Sequence, residues 1–170
     1  MTDLGRLYGD VAAAGKIPPV ETWHPDFCGD IDMRIALDGT WFHNGTAIKR
    51  PAMVQLFSRI LRKEGERYFL VTPVEKVGIV VEDVPFIAVE MTADEGRLTF
   101  RTNVGDSVTV DADHPLRFDV TDGFRPYLHV RNGLEARLSR QLAQDLAAMA
   151  EDDGRGLVIR SGTAQFRLPV

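Results

Sequence analysis

The stretch GDIDMRIALDGTWFHNGTAIKRP, residues 29–51, decides the reading of the fold. From 30 to 37 apolar and polar residues alternate, with Ile31, Met33, Ile35 and Leu37 on one side and Asp30, Asp32, Arg34 and Ala36 on the other. That period of two marks a half-buried strand. Asp38-Gly39 and Asn44-Gly45 are tight-turn dipeptides, so 30–37, 40–43 and 46–48 read as three consecutive antiparallel strands. Pro51 suits the first position of a helix, where the missing N–H costs nothing. Met53, Val54, Phe57, Ile60 and Leu61 then predict an apolar helical stripe reaching about Glu64.

Working outward, Leu4, Leu7, Tyr8 and Val11 predict a short amphipathic helix near the N-terminus, after Thr2 as N-cap and before Gly15. Beyond the quoted stretch the period stays at two, predicting strands at 68–72, 77–81, 86–92, 97–102, 107–111, 116–120, 127–131 and 134–137. Ser139 is a plausible N-cap for a helix over 139–152 carrying Leu142, Leu146, Met149 and Ala150 on one face, and strands at 156–161 and 164–168 follow.

The pattern repeats at an offset of 88. Asn44-Gly45 falls on Asn132-Gly133, the helix at Pro51 falls on the one at Ser139, and Arg67-Tyr-Phe-Leu-Val falls on Arg155-Gly-Leu-Val-Ile without a gap. The fold class is therefore α+β, with antiparallel sheets built as duplicated hairpin–helix–hairpin units. The expected domains are 1–75 and 76–170, the second holding the helix 139–152. Seven strands from 77 to 137 followed by a helix also give the second half a superficial pleckstrin-homology-like order.

Lys+Arg 20 against Asp+Glu 25 leave a net charge of −5, which supplies no overall positive field for DNA, RNA or an anionic membrane. The single cysteine, Cys28, forms no internal disulfide and reads as a small buried hydrophobe. Asp3, Arg6 and Asp10 interrupt any signal-peptide core and no apolar run is long enough to span a bilayer, so a cytoplasmic protein is expected.

Several chemistries lack their motif. Gly9 and Gly15-Lys16 are spaced wrongly for a phosphate loop, and Ile17 stands where a metal-binding hydroxyl is needed. Gly105-Asp-Ser107-Val-Thr109 lacks the second glycine of a nucleophile elbow. His24, Cys28, Asp30 and Asp32 cluster within nine positions but match no standard metal spacing, so neither a metal nor a cofactor is implied.

Three groups of residues remain. Asp30, Asp32 and Arg34, on one strand face, read either as an ion-pair row or as an acid/base or Mg²⁺ pair with an arginine beside it. Tyr127, His129 and Arg131 put a ring, an imidazole and a guanidinium on another face, suited to stacking on a base and gripping phosphate. Under the 88-residue offset Trp41 and His43 fall on His129 and Arg131. Arg50 adds a cation at a helix N-terminus, and the linker Thr72-Pro-Val-Glu75-Lys76 adds a hydroxyl, an acid and an amine.

GDIDMRIALDGTWFHNGTAIKR, YFLVTPVEKVGIVVEDVPF and PYLHVRNGLEA resemble the bacterial family called domain of unknown function 1285, from about Gly29 to Ala136. The resemblance implies a duplicated core, a pleckstrin-like C-terminal half and a nucleotide-like ligand at the domain interface in signal transduction, with no catalytic activity. Phosphoinositide binding in the pleckstrin manner is disfavoured, because the loop that would carry the cations is Glu82-Asp83-Val84-Pro85.

The expectation is a non-enzymatic binding or sensor module for a small anionic ligand. Tyr127 and Trp41 would stack, Arg131, Arg50 and Lys76 would hold phosphate, and His43 and His129 would hydrogen-bond, with Thr72 and Glu75 nearby. The alternatives are an enzyme using Asp30, Asp32 and a histidine, and a protein–protein adaptor working through strand faces or edges.

Overall fold

Strands in this chain come in threes. The computed structural model describes residues 17–169, and among them are five antiparallel meanders of three strands and two α-helices. The first meander is β1 (Phe27–Ile35), β2 (Trp41–His43) and β3 (Thr46–Ala47), followed by helix α1 (Pro51–Arg59). The second is β4 (Leu61–Glu64), β5 (Arg67–Val71) and β6 (Lys76–Val81). The third is β7 (Phe86–Asp94), β8 (Arg97–Thr102) and β9 (Ser107–Thr109). The fourth is β10 (Leu116–Asp119), β11 (Arg125–Arg131) and β12 (Leu134–Leu138), followed by helix α2 (Arg140–Ala148). The last is β13 (Glu151–Asp152), β14 (Leu157–Ser161) and β15 (Ala164–Arg167). The predicted helix near the N-terminus lies outside the described residues.

Two compact units divide between Asp83 and Val84. In the first, a parallel pairing of β1 with β6 joins two meanders into a sheet of order β3-β2-β1-β6-β5-β4. In the second, a parallel pairing of β12 with β7 gives the order β10-β11-β12-β7-β8-β9, and β13-β14-β15 form a separate sheet. Parallel pairing moves the expected boundary from 75/76, because Lys76–Val81 hydrogen-bonds to β1 and β5 and so belongs to the first unit. It also removes the first of the seven strands counted towards a pleckstrin-like order, and β12 meets β7 in parallel.

The duplication is visible in the meander–helix–meander order of β1–β6 and β10–β15. Asn44 (φ 51°) and Gly45 (φ 80°) match Asn132 (φ 48°) and Gly133 (φ 79°), both pairs in the left-handed conformation of a type I′ turn. Both helices end earlier than predicted, at Arg59 and Ala148 instead of near Glu64 and Asp152, and a strand follows each at once. The apolar spacing of Phe57, Ile60 and Leu61 hides this break: Ile60 leaves the helical conformation, and Leu61 continues into the core as the first residue of β4.

The first core holds Met33, Ile35, Trp41, Phe57, Ile60 and Leu70, and the second Phe86, Phe100, Leu128 and Leu146. Each such side chain contributes roughly 1.5–3 kcal/mol on burial. Ser161, 1% exposed, ties the small sheet to its neighbour: its hydroxyl accepts from Leu98 N–H at 3.0 Å and donates to the Val110 carbonyl at 2.7 Å. No helix among the described residues is long and apolar enough to cross a membrane.

Candidate functional site

In the first unit most predicted residues are engaged in structure. Trp41 is 1% exposed and stacks on Phe57 with ring centroids 6.4 Å apart, so its indole faces the core and does not present a stacking surface. His43 is half-buried beside the turn, paired in register with Met33 and Thr46. Arg50 is the N-cap residue of α1, although its side chain makes no capping hydrogen bond. Thr72 closes the β5–β6 hairpin: its Oγ1 accepts from Val74 and Glu75 N–H at 3.3 and 3.0 Å, and its N–H donates to the Glu75 carbonyl. Lys76 places Nζ 3.2 Å from both Glu64 carboxylate oxygens and 4.8 Å from the centre of the Phe69 ring. The hydrogen bond from Arg62, followed by that from Lys76, holds the Glu64 carboxyl below its ordinary range despite partial desolvation.

Asp30, Asp32 and Arg34 alternate along β1 with the more buried Ile31, Met33 and Ile35, and register shifts interrupt the β1–β6 pairing on both sides of Asp30; Asp30 and Arg34 find charged partners on other segments. Asp30 takes Arg67 at 2.5 Å, and Arg34 takes Glu82 at 2.7 Å while lying 4.5 Å from the Phe42 ring centre. Asp32 is exposed, and its carbonyl accepts from Asn44 N–H. Cys28 is exposed and not buried, its thiol against the Asp26 carbonyl. Among the described residues no three His, Cys, Asp or Glu side chains are placed to hold a metal ion.

The second unit holds the remaining predicted residues on β11. Tyr127, 3% exposed, lies beneath the Arg117 guanidinium at 4.1 Å, and Arg117 forks onto Glu135 through two 3.0 Å bonds. The phenol ring is thus already covered by a cation. Three residues on, Val130 is the extra residue of a β-bulge: His129 opposes Glu135 and Arg131 opposes Leu134. The alternation along the strand continues through the bulge, with Leu128 and Val130 buried and His129 and Arg131 half-buried. Trp41, which stands at the same repeat position as His129 in an unbulged strand, points inward. The gapless offset therefore aligns residues but not faces.

His129 has an unusual hydrogen-bond state. Gly133 N–H donates to its Nε2 at 3.0 Å, which fixes the ring proton of the neutral imidazole on Nδ1. Nδ1 is buried and has no hydrogen-bond partner among the described residues. Arg131 reaches Asp106 Oδ2 at 3.5 Å and lies 5.3 Å from the Phe86 ring centre, with both charged side chains about one-sixth exposed. His114 stands 6.2 Å from His129 between ring centres, and its Nδ1 is 3.0 Å from Asp111, whose carboxyl that contact holds below its ordinary range.

Asp106 and His114 were not among the sequence candidates. Asp106 sits in the turn between β8 and β9, its N–H on Thr102 Oγ1. His114 precedes β10 and meets β11 only through pairing. Neither carries a local motif that would have found it.

Comparison with known proteins fits this architecture. The family model described as "Domain of unknown function (DUF1285), N-terminal domain" matches residues 18–84, and "Protein of unknown function (DUF1285), C-terminal domain" matches 85–168. A crystal structure of a DUF1285 family protein from Silicibacter pomeroyi DSS-3 is 46% identical, with a TM-score of 0.88 over 95% of this chain and 93% of that one. Another, from Shewanella baltica OS155, is 30% identical, with a TM-score of 0.58 over 68% of this chain and 90% of that one. No curated protein matches. With both family models matched end to end across the two compact units, the chain belongs to the DUF1285 family.

Proposed function

We propose that the protein is a non-enzymatic binding module of the cytoplasm, acting in signal transduction, that takes a small anionic ligand of nucleotide type at His129 and Arg131. The observation that carries this reading is the buried Nδ1–H of His129, a donor with no acceptor among the described residues. Leaving such a group unmet costs about 1–3 kcal/mol, and an anionic oxygen that accepts from it recovers that cost. Arg131, one strand position beyond the bulge, supplies a planar set of donors suited to phosphate. A net charge of −5 favours a small anion over a polyanionic nucleic acid. A pleckstrin-like character of the second unit is supported only by a strand-rich sheet that leads straight into α2.

The test is a thermal-shift screen against mononucleotides, cyclic and dinucleotides, and phosphorylated metabolites, with and without Mg²⁺. A ligand at about 100 times its Kd adds roughly 2.7 kcal/mol and raises Tm by about 5–10 °C at this chain length. The shift is expected to vanish in His129→Ala and Arg131→Ala. A screen without any shift, or a shift that both variants retain, overturns the proposal. Arg50→Ala and Lys76→Ala are separate arms that report on the first unit's candidates.

A further inference from the structure

In the first unit the two meanders flanking α1 are sewn together by β1 and β6; in the second, the meanders flanking α2 are not. The strands at the corresponding repeat positions are β10 and β15. Among the described strands β10 pairs only with β11, and β15 only with β14. Between them runs a groove of about 620 Å³ lined by Leu116, Arg117 and Phe118 from β10 and by Gln165–Pro169 from β15 and the residues after it.

The two junctions also differ in their residues. In the first unit Arg67 reaches across Gly78 to Asp30, and a Cβ at 78 would overlap Asp30 Oδ1 and stand 2.7 Å from Arg67 Nη2. This clasp lies over the point where Asp30 and Gly78 face each other in the β1–β6 register. At an offset of 88 the facing positions are Phe118 and Phe166, and both rings line the groove. The clasp has no counterpart there, and the two strand edges keep ladder groups that no other described strand uses.

We propose that this groove binds an extended peptide segment of a partner protein, one that alternates apolar and acidic side chains. The main chain of such a segment supplies the hydrogen bonds that β6 supplies to β1, the mode by which sheet edges capture peptides. Leu116, Phe118, Phe166 and Leu168 accept its apolar side chains. The charged residues lining the groove, Arg117 and Arg167, are both cationic, and their carboxylate partners Glu135 and Asp153 stand outside the lining. That charge bias selects acidic side chains at the alternate positions.

The test uses the full chain and fluorescence anisotropy of a labelled peptide of alternating Glu and Val. Two controls accompany it: a Gln-for-Glu peptide, and a Glu/Val peptide N-methylated at alternate amides. Saturable binding of the first is expected, weakened by about tenfold or more in each control, as loss of two or three hydrogen bonds or of two charge contacts requires. Arg117→Gln and Arg167→Gln are expected to erase the preference for Glu over Gln. Gln165→Pro, which blocks the exposed edge without touching a core side chain, is expected to weaken all peptides, with melting curves confirming that each variant folds. The proposal is overturned by absence of saturable binding, by equal binding of the N-methylated peptide, or by sedimentation showing that a second copy of the chain already occupies the groove.

Discussion

At the scale of single residues, Gly78 shows how one missing side chain leaves room for a cross-strand ion pair. Gly78→Ala places a methyl group against the exposed, flexible ends of Asp30 and Arg67, which can move aside at the cost of their ion pair, about 1 kcal/mol at most. Asp30→Ala alone removes an exposed ion pair worth no more than about 1 kcal/mol. The double variant is therefore expected to lose no more than either single variant, a coupling that urea titration of the four proteins measures directly. Additive losses would show that Gly78→Ala does not act through the ion pair. Neither the clasp nor the buried, unmet donor of His129 was readable beforehand. Asp30, Arg67 and Gly78 are distant in sequence; the face of His129 follows from the alternation along β11, but its hydrogen-bond state depends on Gly133 N–H in the following turn.

Among the elements, turns were legible and junctions were not. Asn44-Gly45 and Asn132-Gly133 declare their turn by their own φ preferences, and the alternation over 30–37 found β1 with an end error of a few residues. The strands β4 and β13 were absorbed into predicted helices, because the apolar residues after each helix continue a spacing that suits either element. The start of α2 was legible for a chemical reason: Ser139 Oγ accepts from Leu142 N–H at 3.3 Å, satisfying one of the free amides of the first turn. Ser139→Ala is expected to lower stability by about 1 kcal/mol with little change in denaturant m-value. Ser139→Asp is expected to keep the cap, and an equal loss in both variants would show that the hydroxyl does not stabilise the helix.

Over the whole molecule, ion pairs set the acid limit of stability. Hydrogen bonds from Arg167, followed by the Arg155 amide, lower the Asp153 carboxyl to about 2, and the carboxyls of Glu64 and Asp111 are also lowered. Groups whose folded pKa lies below the unfolded value near about 4 stabilise the protein fully above that pH. Their contribution is lost as pH falls from about 4 towards about 2, so Tm is expected to drop through that window. Asp153→Asn is expected to flatten the drop, and a Tm profile identical to that of the parent would remove Asp153 from the account.

The division of the chain was misjudged by eight residues because β6 finds its parallel partner in β1, far back along the sequence. The same feature governs the order of assembly. Within each meander neighbouring strands are joined by short turns and close quickly, as hairpins do. The parallel seams instead bring Asp30 to Gly78 and Phe86 to Ala136, closing loops of 48 and 50 residues. Loop closure of that length is the entropic toll taken before any ladder bond forms, so the two seams are the late steps of folding and the meanders the early ones.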